Sequence, residues 1–173
     1  MEKQGEKIQH KTVTRILKYD GDIDACKTEE ERREFLKKPH EVYEKEENCL
    51  LNTGIAEFED LFIGAVSGAS HIFDNAHATI GVGDSNTAAD ATQTDLQAET
   101  NKTYKAMDST YPSRSSQTLT FQSTFDSADA NYVWNEWVIK QSTSAICLNR
   151  HVDSMGTKAS GSTWVLQVTI TIS

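Results

Sequence analysis

The stretch before the C-terminal serine constrains the fold most. Trp164, Leu166, Val168, Ile170 and Ile172 alternate with Val165, Gln167, Thr169 and Thr171. Successive strand side chains point to opposite faces, so an apolar period of two marks a strand with one buried face. The same period recurs where Leu119, Phe121, Ser123 and Phe125 alternate with Thr118, Thr120, Gln122 and Thr124, and where Ala78, Ile80 and Val82 alternate with Thr79 and Gly81. Further strand-like runs lie at 101–107, 132–140 and 145–152. Turn-rich stretches separate these six segments, with no helical pattern between them. Strands so closely spaced pair antiparallel. The expected fold is mainly β: an antiparallel β-sandwich or small barrel with one flanking helix and an N-terminal charged arm. The polar strand faces carry Thr and Gln, which suit solvent or burial against another subunit.

The flanking helix is expected over Gly54 to Val66. Ile55, Phe58, Leu61, Phe62, Ala65 and Val66 share one helical face, with Glu57, Glu59 and Asp60 on the other, and Asn52 or Thr53 as cap. Its apolar face is expected to cover one side of the β domain, and Gly64 and Gly68 mark its end.

Charge divides the chain. Residues 1–60 hold 11 of the 17 Lys and Arg and 16 of the 26 Asp and Glu. The expected division is residues 1–49 as a charged arm with a short helix, and residues 50–173 as an antiparallel β domain opened by the amphipathic helix. Within the arm, Ile8 to Tyr19 has a loose strand pattern and Asp20-Gly21-Asp22 signals a turn. Thr28 to Lys38 reads as a helix. Thr28 and Glu31 fit a capping box, the Glu29–Glu31 run lies at the positive end, and Pro39 stops it. With few apolar residues, the arm is expected to gain order by binding.

Hydrophobic residues at 37% suffice for one core, and the net charge of -9 argues against nucleic acid as a partner. No apolar run approaches a membrane span, and the charged start lacks a signal peptide's apolar stretch. The expectation is a chain made in a cytoplasm. Cys26, Cys49 and Cys147 match no zinc spacing and read as reduced thiols, with a Cys26–Cys49 bridge left open.

Motifs for chemistry are incomplete. Gly81-Val82-Gly83 lacks the third glycine of a dinucleotide fingerprint and reads as a tight turn at a strand end. Gly83-Asp84-Ser85 and Asp74-Asn75-Ala76-His77 resemble the two blocks of a GDS-type esterase, but in reversed order and without an α/β pattern. His71, Asp74 and His77 have ligand chemistry at no standard metal spacing. Cys147 and His151 fall on one face if their strand is regular, with no third group in view. Glu136 is a lone carboxylate, expected at the sheet surface, where paired-carboxylate chemistry needs two. Trp134 and Trp137 are separated by an odd number, which places one in the core and the other at an interface or under the helix. The expectation is no catalytic, cofactor-binding or metal-binding residue.

Several stretches together resemble small structural proteins of tailed bacteriophages. They are His77-Ala78-Thr79-Ile80-Gly81-Val82-Gly83-Asp84-Ser85-Asn86-Thr87-Ala88-Ala89, Gln93-Thr94-Asp95-Leu96-Gln97, the run from Thr120 to Trp137, and Gly156-Thr157-Lys158-Ala159-Ser160-Gly161-Ser162-Thr163-Trp164. The similarity covers about residues 50–173 and departs from the family pattern at His77 and at Ile139-Lys140-Gln141. It implies a non-enzymatic structural component of the virion, first a capsid decoration or cement protein on the head exterior. The alternatives are a tail component, such as a tube or terminator ring or a fibre-attachment protein, or a receptor- or glycan-binding module. The implied partners are the major capsid protein or tail proteins and further copies of the chain, with no membrane and no nucleic acid.

Overall fold

The strand that alternates most cleanly, β10 (Ser162–Ile172), lies at the centre of a five-stranded antiparallel sheet. The computed structural model describes residues 9–173. In chain order the other elements are β1 (His10–Asp20), a 3-10 turn (Ile23–Ala25), α1 (Glu29–Phe35), β2 (Glu41–Lys45), β3 (Cys49–Leu50), α2 (Asn52–Ile63), β4 (Ala78–Gly83), β5 (Lys102–Ala106), β6 (Ser113–Ser115), β7 (Thr118–Phe125), β8 (Val133–Gln141) and β9 (Cys147–Thr157). One sheet has the order β2-β1-β10-β7-β6 and the second β3-β9-β8-β4-β5. Their facing sides enclose the main core, which includes Ile16, Ile80, Phe121, Phe125, Trp134, Trp137, Trp164, Leu166 and Val168. The expected β-sandwich with a flanking helix is what forms.

The N-terminal segment corrects the expected division at residue 49. From His10↔Ile172 to Asp20↔Ser162, β1 pairs with β10 along its whole length, and β2 extends the same sheet. Thr12, Thr14, Ile16 and Lys18 point inward and are buried, as is Tyr19. The segment is therefore a strand of the fold, where the sequence suggested an arm. The loose strand pattern is thus a real strand, and its place in the sandwich was hidden because three of its four inward residues are polar. Lys18 is accommodated by Glu41 of β2 and by the Trp164 ring, whose centroid is 4.6 Å from its Nζ. Residues 1–8 of the expected arm lie outside the described residues.

α1 forms where the sequence placed it, with the Thr28–Glu31 capping box closed. It packs on its own fold: Phe35 stacks on Tyr19 at 5.2 Å, and the Tyr19 hydroxyl donates to the Leu36 carbonyl. Cys26, Cys49 and Cys147 are all free thiols, so no Cys26–Cys49 bridge forms. Among the described residues no helix is long and apolar enough to cross a membrane.

Two irregularities in the β8–β9 ladder re-aim side chains. The register shifts between Trp134 and Glu136 and again between Ile139 and Lys140. The first shift breaks the alternation, so Trp134 and Trp137 both enter the core between the sheets, against the expectation of opposite faces. The Trp134 indole N–H donates to the Ala130 carbonyl, and Trp137 stacks on His151 at 5.7 Å.

Candidate interaction surface

The outer face of the second sheet is not left to solvent. Residues 84–101 form neither helix nor strand, and they run across this face. Leu96 joins Leu51, Val138 and Cys147 in a second, smaller apolar cluster there. Gly81 and Gly83 make the close approach possible. A Cβ at Gly81 would lie 2.6 Å from the Tyr104 ring, and one at Gly83 would lie 2.5 Å from Glu136 Oε1 and 3.0 Å from Ala98. The Gly-Val-Gly run is therefore the floor beneath a loop, where the sequence suggested a turn.

An ion pair with both side chains fully buried bolts that loop down. Arg150 Nε donates to Glu136 Oε2 at 2.7 Å. The same carboxylate accepts from the Gln97 N–H at 2.9 Å and the Ala98 N–H at 2.7 Å. From the other side of the pair, Arg150 donates to the Gln93 side chain at 2.8 Å and to the Thr87 carbonyl at 2.9 Å. Both charges thus spend their hydrogen bonds on loop backbone and side chain, as a buried charge must if it is to stay buried. Glu136 is then no surface carboxylate. Its partner Arg150 went unseen because the two meet only across the β8–β9 ladder, where Val138 pairs with Arg150.

A second polar post stands beside the first. Lys140 donates to Asp95 at 2.7 Å, with its ammonium 4.7 Å from the Tyr104 ring centroid, and Tyr104 donates to the same carboxylate. Burial opposes the Asp95 charge, yet the Lys140, Tyr104 and Leu96 donors outweigh it and hold the carboxyl below the usual range. Burial, reinforced by the Asp95 charge, pushes the neighbouring Cys147 thiol up to about 12. Such a thiol keeps its proton at neutral pH and is a poor nucleophile. The shift at Ile139/Lys140 also separates it from His151, which faces Trp137 in the main core. The structure does not bring together the Cys147 and His151 that regular spacing would have placed on one face.

The esterase-like blocks are likewise parted. His77 precedes β4 and Asp84 follows it, so six strand residues hold the two blocks about 20 Å apart at 3.3 Å per residue. His77 Nδ1 lies 2.6 Å from Asp74, and the Ser85 hydroxyl donates to Thr87. His71 pairs with Glu57 at 2.7 Å, apart from the Asp74–His77 pair. A shallow cavity of about 500 Å³ lies between the β2–β3 link and the loop, lined by Glu47, Asn48, Cys49, Asn86, Ala88, Ala89, Arg150, His151 and Val152. That lining holds no Trp, Tyr or Phe on which a sugar ring would stack.

α2 turns out to face the other way from the sequence expectation. Its buried residues are Gly54 and Glu57. A Cβ at Gly54 would lie 2.5 Å from the Leu148 Cα, so the helix rests backbone to backbone on β9. The Thr53 hydroxyl donates to the Cys147 carbonyl and the Asn52 N–H to the Ala91 carbonyl, which seats the helix start against the loop. Glu57, on the seated side, is satisfied by His71. The apolar stripe consequently points outward: Ile55 is 41% exposed, Phe58 57%, Phe62 83% and Ile63 74%. Phe58 and Phe62 stack on each other at 6.4 Å. Amphipathic periodicity gave the helix, but which side meets the sheet was decided by the glycine. Comparison with protein-family models, with curated proteins and with solved structures finds no match.

Proposed function

We propose that this chain is a non-catalytic structural subunit of a tailed bacteriophage particle, held in place through the surface formed by α2 and the bolted loop. The observation that carries the reading is the apolar stripe of α2 turned to solvent, with Phe62 83% exposed. Large exposed apolar residues grouped on one element mark an interaction site, because exposing them in a free protein costs the hydrophobic stabilisation their burial would give. The loop beside it is fixed by two ionic posts, so it loses little entropy on contact, as suits a preformed docking surface. The resemblance of residues 50–173 to small phage structural proteins supports the particle as the setting. β1 and β2 belong to the sandwich, so the reading rests attachment on α2 and the loop in place of an arm over residues 1–49. Quantitative gel analysis of purified particles tests the reading. A copy number comparable to that of the major capsid protein supports decoration of the head, and a few copies per particle support a tail position. Absence from the particle overturns the reading.

A further inference from the structure

We infer that the outward face of α2 pairs with a basic amphipathic helix of a second protein; this rests on the docking role proposed above. The first ground is charge. Between Glu46 and Asn101 the sequence holds ten carboxylates and neither Lys nor Arg. Those that serve the fold are answered: Glu46 by Lys11, Glu57 by His71, Asp74 by His77, Asp95 by Lys140. Among the described residues, Glu59 and Asp60 on α2, with Asp90 and Glu99 of the loop, have no cationic partner within ion-pair distance, and Glu59, Asp90 and Glu99 are exposed.

The second ground is where Glu59 sits. It is four residues after Ile55, three before Phe62 and four before Ile63, which on a helix places it within the same exposed stripe, not on the opposite face where the sequence pattern put it with Glu57. A carboxylate inside an apolar contact is tolerated when a cation meets it there, and costs affinity when none does. The occupant therefore brings apolar side chains with Lys or Arg among them. A second copy of α2 fails this test, since it would bring another Glu59 and Asp60 and no cation.

Size favours a helix over a broad globular face. Two Phe and two Ile side chains at these exposures present on the order of 400–600 Å² of apolar surface. A standard protein interface takes roughly 800 Å² from each partner. The smaller stripe matches one helix laid along another, with its anchors at intervals of three and four residues.

The test uses the full chain and two synthetic helices of about 20 residues. They share one leucine seam, and one is flanked by lysines, the other by glutamates. Binding is followed by fluorescence anisotropy. The lysine helix is expected to bind, with affinity falling as salt rises, and the glutamate helix to bind at least about tenfold more weakly. A Glu59→Lys/Asp60→Lys chain should reverse that preference, and Phe62→Ser should weaken the lysine helix about tenfold or more. Equal binding of both helices, binding of neither, or a lysine helix indifferent to these substitutions would overturn the inference. So would self-association of the chain that Phe62→Ser abolishes. Any of these results, found together with normal presence in particles, removes the partner chemistry and leaves the structural role standing. Helix selectivity in a chain absent from particles would do the reverse.

Discussion

Replacing Glu136 by glutamine removes one charge and almost no volume, which makes it a sharp probe of how the loop is held. The carboxylate takes bonds from Arg150, the Gln97 N–H and the Ala98 N–H. Glutamine offers one carbonyl oxygen and sets an NH2 group against the remaining donors. The buried Arg150 guanidinium loses its counterion, and breaking such a pair from one side costs about 3–5 kcal/mol. Whole domains of this kind are stable by roughly 5–15 kcal/mol, so the loss is a large share. Urea unfolding followed by tryptophan fluorescence reports it, since Trp134, Trp137 and Trp164 are all buried. Hydrogen exchange at the Gln97 and Ala98 amides should rise in parallel. Glu136→Leu combined with Arg150→Met should recover most of the global stability, because no lone charge is left buried. Exchange at Gln97 and Ala98 should nevertheless stay fast. A cost below about 1 kcal/mol for Glu136→Gln, the level of an ordinary surface change, would refute the reasoning. Unchanged protection at the two amides would refute it equally.

Gly54→Ala drives a Cβ into the Leu148 backbone and should lift α2, at a cost of about 1–3 kcal/mol, read from the urea midpoint and from exchange along 52–63. Deleting residues 1–45 strips β1 and β2 from β10; the truncated chain should lose its cooperative urea transition, and retention of that transition would restore the arm interpretation. Burial holds the His151 imidazole below its ordinary value, against the opposing pull of Asp153 and Glu47. Between that lowered value and about 6.5 the unfolded chain binds a proton that the native state does not, so stability rises with pH there and falls on acidification. Urea midpoints from pH 7 to 5 should fall in the wild type and fall less in His151→Phe, which keeps a ring against Trp137.

The parts of the fold legible in the sequence are those whose signal is local. β10, β7 and β4 show their period directly, and α1 shows its capping box. β1 shows a loose strand pattern, but its place inside the sandwich stayed hidden because its inward side carries Thr12, Thr14 and Lys18, and Lys18 is buried against Glu41, 23 residues on, and against Trp164 near the far end of the chain. Trp134 and Trp137 were assigned to opposite faces because a bulge leaves no mark in the spacing of a single strand. The candidate surface was legible only in pieces. The amphipathic helix was visible, while the Glu136–Arg150 bolt and the outward turn of α2 come from pairings across strands and from a backbone contact at Gly54.

Under the proposed function, the exposed stripe of α2 is what would hold the chain in the particle. A Phe58→Ser/Phe62→Ser chain changes only solvent-facing side chains, so its stability should stay within about 0.5 kcal/mol of the wild type by urea unfolding. Particles assembled with this folded variant in place of the wild type, purified and quantified by gel, should be depleted of the chain. An undiminished copy number of the folded variant would contradict the claim.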